Sequence, residues 1–244
     1  MKTPTARLDK LLSNLGYGVR SEIQTLARLG AITLDGVEMK DASTRIALTP
    51  DLPARMMVDG RPVDPPPPLT LILHKPLGMT CSHKEDGALV YDVLPERWRR
   101  RDPAISTIGR LDKQTSGLLL LTDDGDFLHK VISPKRHVPK VYRATLARPL
   151  EGHEAELFAS GHLMLEGDDK PLAPAVFEVV SPTEALLTVT EGRYHQVRRM
   201  FAAAGNHVET LHRQRVGGLE LRADIKPGEW RIATAADCAA VLGA

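Results

Sequence analysis

A single carboxylate, Asp112, stands where the sequence could support chemistry. It ends the run Gly109–Asp112, and the chain then enters Thr115–Gly125, whose four consecutive leucines lie between a glycine and an Asp-Asp-Gly turn. Such a run predicts a fully buried strand that ends in a turn. Because an ionised acid beside a buried strand is costly unless a partner stabilises it, Asp112 is a functional candidate. The alternative is a surface ion pair between Asp112 and Arg110 in a loop.

Two further segments carry groups that could act with this acid. One is Lys140-Val141-Tyr142, and the other is Glu191–Met200, which holds a tyrosine, a histidine and three arginines. An arginine near a buried carboxylate would keep that carboxylate ionised, and a forked guanidinium suits the task better than a lysine. A tyrosine in a strand is most often a core residue, so Tyr142 taken alone predicts little.

Basic residues concentrate in three segments, although the formal net charge is only +1. Residues 135–148 carry five lysines and arginines and no acid, residues 193–215 carry five arginines against one glutamate, and residues 97–101 carry four arginines. Such clusters on a nearly neutral protein favour a local anionic partner such as a phosphate backbone. An ordinary solvated surface is the alternative for each cluster taken singly.

Length and composition bound the class of protein. The 244 residues are 42% hydrophobic and 26% charged, which is typical of a globular protein with one large domain or a small and a larger one. The apolar runs are too short to span a bilayer, and no signal peptide is indicated. The cysteines Cys81 and Cys238 fit a reducing cytosol, so we expect a cytoplasmic location. Zinc-ligand spacings and glycine-rich phosphate loops do not occur in the sequence, so no metal is expected and nucleotide-dependent kinases or dehydrogenases are disfavoured.

Four consecutive prolines at 65–68 divide the chain, because they favour an extended spacer over a helix or a central strand. We therefore predict a small N-terminal domain over 1–62, a proline linker over 63–68 and a larger domain over 69–244. A domain as small as the first has a thin core, which suits docking better than catalysis.

The N-terminal domain is predicted to contain two helices and a hairpin. Apolar spacing predicts a helix over 7–15 and a second helix that begins with Ser21 as its N-cap and ends at Gly30. An Asp-Gly turn within 32–37 predicts the hairpin. Together with the run Arg7–Leu12, these features resemble the S-four-like RNA-binding domain. The resemblance implies an RNA face lined by the basic residues Lys10, Arg20, Arg28 and Lys40.

The larger domain is predicted to be α+β, because strand pairs separated by turns alternate irregularly with helices. The whole chain is then an α+β protein, in which a small S-four-like α/β-hairpin domain is joined by the proline linker to a larger mixed, mainly antiparallel sheet with flanking helices. The predicted strands are Leu69–Leu73, Leu118–Leu121, Lys140–Leu146, Ala175–Val180 and Ala185–Thr190. The predicted helices are Gly152–Ala159, Gln196–Ala204 and Ala235–Leu242.

Taken together, Gly109–Asp112, Lys140–Tyr142 and Glu191–Met200 resemble the pseudouridine synthases, in the branch that carries an S-four-like domain. Within that branch, Tyr194–Val197 followed by Gly205–Val208 is most similar to the RsuA family. The resemblance covers nearly the whole chain except the proline linker. It implies an enzyme that isomerises a specific uridine of small-subunit ribosomal RNA to pseudouridine, without a cofactor or a metal.

The resemblance also implies the site residues. Asp112 would be the catalytic carboxylate and Tyr142 the active-site tyrosine. Arg198 would be the cation that keeps Asp112 ionised, with Arg193 as the alternative. Asp112 could attack C6 of the base, attack C1′ of the ribose or remove a C2′ proton, and the sequence leaves these routes open. The uridine must flip out of its stack, and Arg110 is placed to fill the gap or hold a phosphate. Further contacts to RNA are expected from the basic residues Arg193, Lys140 and Arg199.

Two other functions stay open. One is a pseudouridine synthase acting on large-subunit ribosomal RNA, and the other is a ribosomal RNA-binding or assembly factor without catalysis. The joint presence of Asp112, Tyr142 and Arg198 speaks against the second. We expect a monomer, since no exposed apolar stripe is evident. Only structural roles are expected for the remaining candidates His195, His207, His212, Cys81 and the Lys75-Pro76 pair.

Overall fold

The computed structural model describes residues 3–243. Residues 1 and 2 of the predicted N-terminal domain and residue 244 of the predicted larger domain lie outside the described residues. Helices are interspersed irregularly among the strands along the described chain, which confirms the predicted α+β class. No helix within this part of the chain is long and apolar enough to cross a membrane.

Two compact units are present, and the chain passes from one to the other directly after the proline run. The first unit comprises the chain up to Leu69 together with Leu94–Ser106, which we call the returning segment. The second unit comprises Thr70–Val93 and the chain from Thr107 onward. The predicted domain limits place the returning segment with the larger domain, whereas in the structure it packs in the first unit.

The first unit combines helices with two small sheets. The helices are α1 (Leu8–Asn14), α2 (Arg20–Arg28) and α3 (Leu52–Arg55), and the strands are β1 (Thr5–Arg7), β2 (Ile32–Leu34), β3 (Val37–Glu38), β4 (Arg45–Ala47), β5 (Met56–Val58) and β6 (Arg61–Pro62). Strand β1 pairs with β4, and the others form a sheet in the order β3-β2-β5-β6. The predicted hairpin is β2–β3. Its turn residues Asp35 and Gly36 have φ angles of 51° and 79°, as a type I′ turn requires.

Helix α2 begins one residue before Ser21, the predicted N-cap. Its N-cap is Val19, whose amide donates a hydrogen bond to the Glu22 carboxylate at 2.9 Å. The predicted cap role of Ser21 is therefore wrong, because an acid three residues after the N-cap satisfies the free amide instead. The inner faces of α1 and α2 pack in one apolar core, where Leu12 and Ile23 are fully buried.

The returning segment joins the first unit through arginine contacts. Arg97 donates two hydrogen bonds to the Asp64 carboxylate, at 2.7 and 2.9 Å, and its guanidinium lies 4.4 Å from the centre of the Tyr17 ring. Arg101 donates to the Pro65 carbonyl at 2.9 Å. Two of the arginines predicted to attract phosphate are thus engaged inside the unit. The proline linker is anchored at its first proline rather than free.

The second unit is a nine-stranded sheet with helices beside it. Its strands are β7 (Thr70–Lys75), β8 (Ser106–Thr107, whose first residue is the last of the returning segment), β9 (Thr115–Thr122), β10 (Lys140–Leu146), β11 (Val176–Ser181), β12 (Glu184–Val189), β13 (Val208–Val216), β14 (Leu219–Glu220) and β15 (Trp230–Ile232). Its α-helices are α4 (Gly125–Ile132), α5 (Glu154–Ala159), α6 (Gln196–Ala203) and α7 (Ala235–Leu242). The main strand order is β11-β12-β10-β13-β9-β7-β15, with β14 on β13 and β8 on β9. Strand β9 runs parallel to β13, whereas β7, β10, β11, β12, β14 and β15 pair antiparallel. The predicted mainly antiparallel sheet is therefore confirmed.

The leucine run of β9 lies at the centre of this sheet, as predicted. Each leucine of Leu118–Leu121 is at most 1% exposed. Leu118 and Leu120 pack in one cluster with Phe127 and Val131 of α4. The strand is buried because β7 and β13 flank it and helices cover the sheet, which explains why its sequence does not alternate with polar residues.

Strands β9 and β13 approach so closely that only glycine fits at one position. Gly117 has a φ of 110°, and a Cβ built there would clash with the Arg213 carbonyl oxygen. The register pairs Gly117 with Arg213, and β10 pairs Tyr142 with Arg213 on the other side. Because Gly117 has no side chain, β9, β13 and β10 can bring Gly117, Arg213 and Tyr142 side by side.

Candidate active site

The three predicted segments converge on one cavity of the second unit, with a volume of about 590 Å³. Its walls come from the loop before β9, the start of β10, the loop between β12 and α6, and part of β13. The predicted site residues that line it are Arg110, Asp112, Lys140, Tyr142 and Arg193. We therefore take this cavity as the candidate active site.

Asp112 lies in the loop between β8 and β9, and its side chain is 33% exposed. The prediction that the Asp112 carboxylate is buried is therefore wrong. Only the strand that follows is buried, and the carboxylate lines the cavity. The Asp112 carbonyl accepts hydrogen bonds from the Thr115 amide at 3.0 Å and from Nζ of Lys75 at 3.1 Å. The backbone is fixed while the carboxylate stays accessible.

Lys75, at the end of β7, is completely buried. Its ammonium donates three hydrogen bonds, to the carbonyls of Pro76 at 3.1 Å, Asp112 at 3.1 Å and Thr115 at 2.8 Å. Burial lowers the pKa of Lys75, since desolvation disfavours the charged form. Lys75 thus ties β7 to the loop that carries the candidate carboxylate.

His195 brings an imidazole to the carboxylate. Its Nε2 atom lies 3.5 Å from Oδ1 of Asp112, so the side chain facing the acid is His195 rather than Arg110. His195 is the N-cap of α6 in a left-handed conformation, with φ 48° and ψ 31°. Such a conformation is uncommon for a residue other than glycine. The sequence predicted only a structural role for His195, because the local turn cannot be read from the residue pattern.

Arg198 directs its guanidinium at backbone carbonyls rather than at the Asp112 carboxylate. It donates to the Val208 carbonyl at 2.7 Å and to the Gln114 carbonyl at 2.8 Å. The predicted direct pairing with Asp112 is therefore not what the structure contains, because these donors are already engaged. Arg198 instead connects α6 to β13 and to the segment two residues after Asp112.

Arg213 is a buried cation of the cavity to which the sequence assigned no site role beyond membership of the basic cluster over 193–215. It is 2% exposed and lines the cavity beside Tyr142, which is 9% exposed. Its Nη1 lies 3.4 Å from the Tyr142 hydroxyl, to which it donates, and its Nε donates to the Leu118 carbonyl at 2.8 Å. The guanidinium carbon is 5.9 Å from the centre of the Tyr142 ring. A charged arginine therefore orients the tyrosine from within the sheet.

Arg193 and Arg199 both donate hydrogen bonds to the carboxylate of Asp168. Arg193 Nη1 and Arg199 Nη2 each lie 2.9 Å from an oxygen of Asp168. These hydrogen bonds, that from Arg199 first, lower the pKa of Asp168. Arg193 Nε also donates to Glu191 at 3.2 Å. Predicted as contacts to RNA, the two guanidinium groups are held within the protein, where they fix the segment before α6.

The other predicted basic contacts are more accessible. Arg110 is exposed on the cavity wall. In the first unit, Lys10 of α1 and Arg20 and Arg28 of α2 are exposed, while Lys40 pairs with Glu38 at 3.2 Å. Across residues 3–243, no group of three or more His, Cys, Asp or Glu side chains is arranged to hold a metal ion.

Known proteins share this architecture. Residues 70–203 match the family model described as RNA pseudouridylate synthase, and residues 6–48 match the S4 domain. The ribosomal small subunit pseudouridine synthase A of Vibrio cholerae is 39% identical over 235 residues, which cover 96% of this chain and 99% of that protein. The protein of the same name from Escherichia coli is 39% identical over 240 residues, covering 97% and 100%.

A solved structure agrees with these relatives. The crystal structure of a pseudouridylate synthase superimposes with a TM-score of 0.68 at 33% identity, covering 96% of this chain and 99% of that one. Both sequence and fold are thus shared along almost the full length of both chains. The chain belongs to the RNA pseudouridylate synthase family.

Proposed function

We propose that this protein isomerises a uridine of small-subunit ribosomal RNA to pseudouridine, with Asp112 as its only catalytic carboxylate. The observation that carries this proposal is the Asp112 carboxylate on the wall of a cavity of about 590 Å³ that also contains Tyr142 and Arg213. The choice of RNA follows the relatives, which are named as synthases of the ribosomal small subunit. A cytoplasmic monomer that needs no cofactor stays a prediction of the sequence.

The reaction suits a site with one carboxylate. The bond between N1 of the base and C1′ of the ribose breaks and N1 takes up a proton, while a bond from C5 to C1′ forms with release of the proton from C5. Asp112 attacks the base or the sugar, or takes the C2′ proton, and each route requires its ionised form. The base must leave its stack to enter the cavity, and Arg110 is placed at the cavity wall to contact the RNA that it leaves.

Tyr142 and Arg213 form the polar end of the cavity in this proposal. The Tyr142 ring offers a face to the inserted uracil, and its hydroxyl oxygen accepts a hydrogen bond from Arg213, which leaves its own O–H free to donate to the base. Arg213 supplies a fixed positive charge where charge develops on the base. Lys75 and Arg198 act from outside, because their donors hold the backbone carbonyls of Asp112 and Gln114.

Tritium release from C5 of uridine tests the proposal directly. The protein is incubated with small-subunit ribosomal RNA transcribed with tritium at that position, and a large-subunit transcript serves as the comparison. We expect release from the small-subunit RNA at one mapped position. Release from neither RNA would overturn the proposed activity, and release from the large-subunit RNA alone would move the substrate to that subunit.

Lys140 is expected to make RNA binding at the site depend on pH in the alkaline range. Burial, with Arg213 nearby, lowers the pKa of Lys140 to about 8, whereas an unfolded lysine has a pKa of about 10.4. The ammonium is therefore charged below the folded value and is lost as the pH rises through it. We expect the affinity for RNA to fall roughly tenfold over that rise, because a charge-assisted hydrogen bond to phosphate is removed. Filter binding across the pH range measures the dissociation constant.

Lys140→Arg is the control for this pH effect, since a guanidinium stays charged throughout. It should bind RNA with a flat profile where the wild type weakens. Between the folded and unfolded pKa values the unfolded chain binds more protons, so the stability of the wild type should rise with pH over that window. Equal weakening of RNA binding in both proteins would assign the effect to another group.

The first unit is expected to supply docking affinity through the exposed basic residues of α1 and α2. Because the returning segment packs in this unit, point variants test it better than a truncation. The triple change Lys10→Gln, Arg20→Gln and Arg28→Gln should weaken RNA binding at low salt and lower the salt slope by about one for each phosphate that these side chains neutralise. The control is Arg61→Gln, which removes an exposed charge of β6. Unchanged affinity of the triple variant at low salt would remove this surface from the docking role.

A further inference from the structure

Tyr194 exposes an aromatic ring at the active site. Its side chain belongs to the cavity lining, yet the residue is 73% exposed. The other tyrosine of the cavity, Tyr142, is 9% exposed. An aromatic ring that faces water gains little from burial, so its exposure beside a site for RNA points to a partner with an aromatic face of its own.

The inner face of the Tyr194 ring is already covered. The ring stacks on the His195 imidazole with a centroid distance of 3.9 Å and an interplanar angle of 16°. His195 in turn reaches Asp112 at 3.5 Å. Carboxylate, imidazole and phenol therefore follow one another from the cavity outward, and the outer face of Tyr194 is the next layer.

The backbone that carries the Tyr194 ring is held in place before any ligand arrives. Arg199 donates from Nη1 to the Tyr194 carbonyl at 3.2 Å, and Asp168 holds Arg199 on its other side. Arg193, the residue before Tyr194, is held by the same aspartate. A side chain whose backbone is fixed in this way loses little freedom when a flat ligand stacks on it.

We infer that the outer face of Tyr194 stacks an unpaired RNA base adjacent to the target uridine, an inference that rests on the proposed function. When one base flips into the cavity, its neighbour loses a stacking partner, and an exposed aromatic ring replaces that partner. Arg110 and Lys113 are exposed on the cavity wall, where their positive charges bind the phosphates that adjoin this base. Tyr194 is thus a binding residue, whereas His195 and Asp112 lie behind it.

Photochemical cross-linking tests the stack without requiring turnover. Small-subunit ribosomal RNA transcribed with 5-iodouridine at a fraction of its uridines is irradiated with the wild type, Tyr194→Phe and Tyr194→Leu. We expect a cross-link to residue 194 in the wild type and the phenylalanine variant, and none in the leucine variant. On unmodified RNA, Tyr194→Leu should raise KM roughly tenfold to a hundredfold with kcat retained, the range known for loss of one base stack. Tyr194→Phe should restore KM.

The outcomes separate this inference from the proposed activity. A cross-link at residue 194 without tritium release would support the stack and overturn the activity. Tritium release with an unchanged KM in Tyr194→Leu and no cross-link at residue 194 would overturn the stack alone. A fall in kcat with KM unchanged would also overturn it, because Tyr194 would then serve only to support His195.

Discussion

Replacing Asp112 with asparagine is expected to slow uridine isomerisation by roughly ten-thousandfold or more, the scale found when an enzyme loses its reacting group. The amide keeps the shape of the side chain, and the Asp112 carbonyl keeps its hydrogen bonds from Lys75 and Thr115. The loss should therefore fall on kcat rather than on RNA binding, since an amide is neither a nucleophile nor a base at neutral pH. Single-turnover tritium release gives the rate, and filter binding gives the dissociation constant.

Asp126 supplies the matched control for this change. It is an exposed acid in the first turn of α4, outside the cavity lining. Asp126→Asn should leave turnover as it is and cost at most about 1 kcal/mol of stability through the helix dipole. A residual rate for Asp112→Asn above about one hundredth of the wild type would remove the carboxylate from the chemistry.

The strands that position the site could be predicted because a buried strand is encoded by a short continuous run of apolar residues. The four leucines of β9 permitted only a strand covered on both faces, and β10 was predicted with the bounds Lys140–Leu146 that it has. The loop between the run Gly109–Asp112 and β9 is short, so the position of the carboxylate followed from the strand. Placing Tyr142 at the same site as Asp112 depended on the resemblance to the pseudouridine synthases, because a tyrosine in a strand is by itself most often a core residue.

Side-chain partners across the sheet could not be predicted in the same way. Arg213 and Tyr142 are 71 residues apart, and their contact depends on a register of β10 against β13 that shifts beside Tyr142. The contact of His195 depends on a left-handed turn, and the pairing of Arg97 with Asp64 depends on a segment that returns to the first unit. Charge alone cannot choose among the many arginines, because the partner is set by where each backbone passes.

Replacing Arg213 with methionine is expected to lower kcat by about a hundredfold to a thousandfold, the effect of removing a fixed donor from a site where charge develops. Methionine fills most of the volume, so KM should change little. Two effects combine, because the cavity loses its buried charge and the Tyr142 hydroxyl loses the donor at 3.4 Å. Multiple-turnover tritium release measures kcat and KM, and thermal unfolding of each variant shows that the fold is kept.

Three further variants show which property of Arg213 matters. Arg213→Lys should recover little, because one ammonium cannot reach both the Leu118 carbonyl and the Tyr142 hydroxyl as the forked guanidinium does. Tyr142→Phe keeps the charge and loses only the hydroxyl, so its loss should be the smaller one. Arg143→Met removes a 45% exposed arginine that pairs with Glu184 and should leave kcat unchanged. Equal losses in Arg213→Met and Tyr142→Phe would mean that Arg213 acts only by holding the Tyr142 hydroxyl. Wild-type turnover in Arg213→Met would contradict the prediction, because the reaction at Asp112 would then need no buried cation.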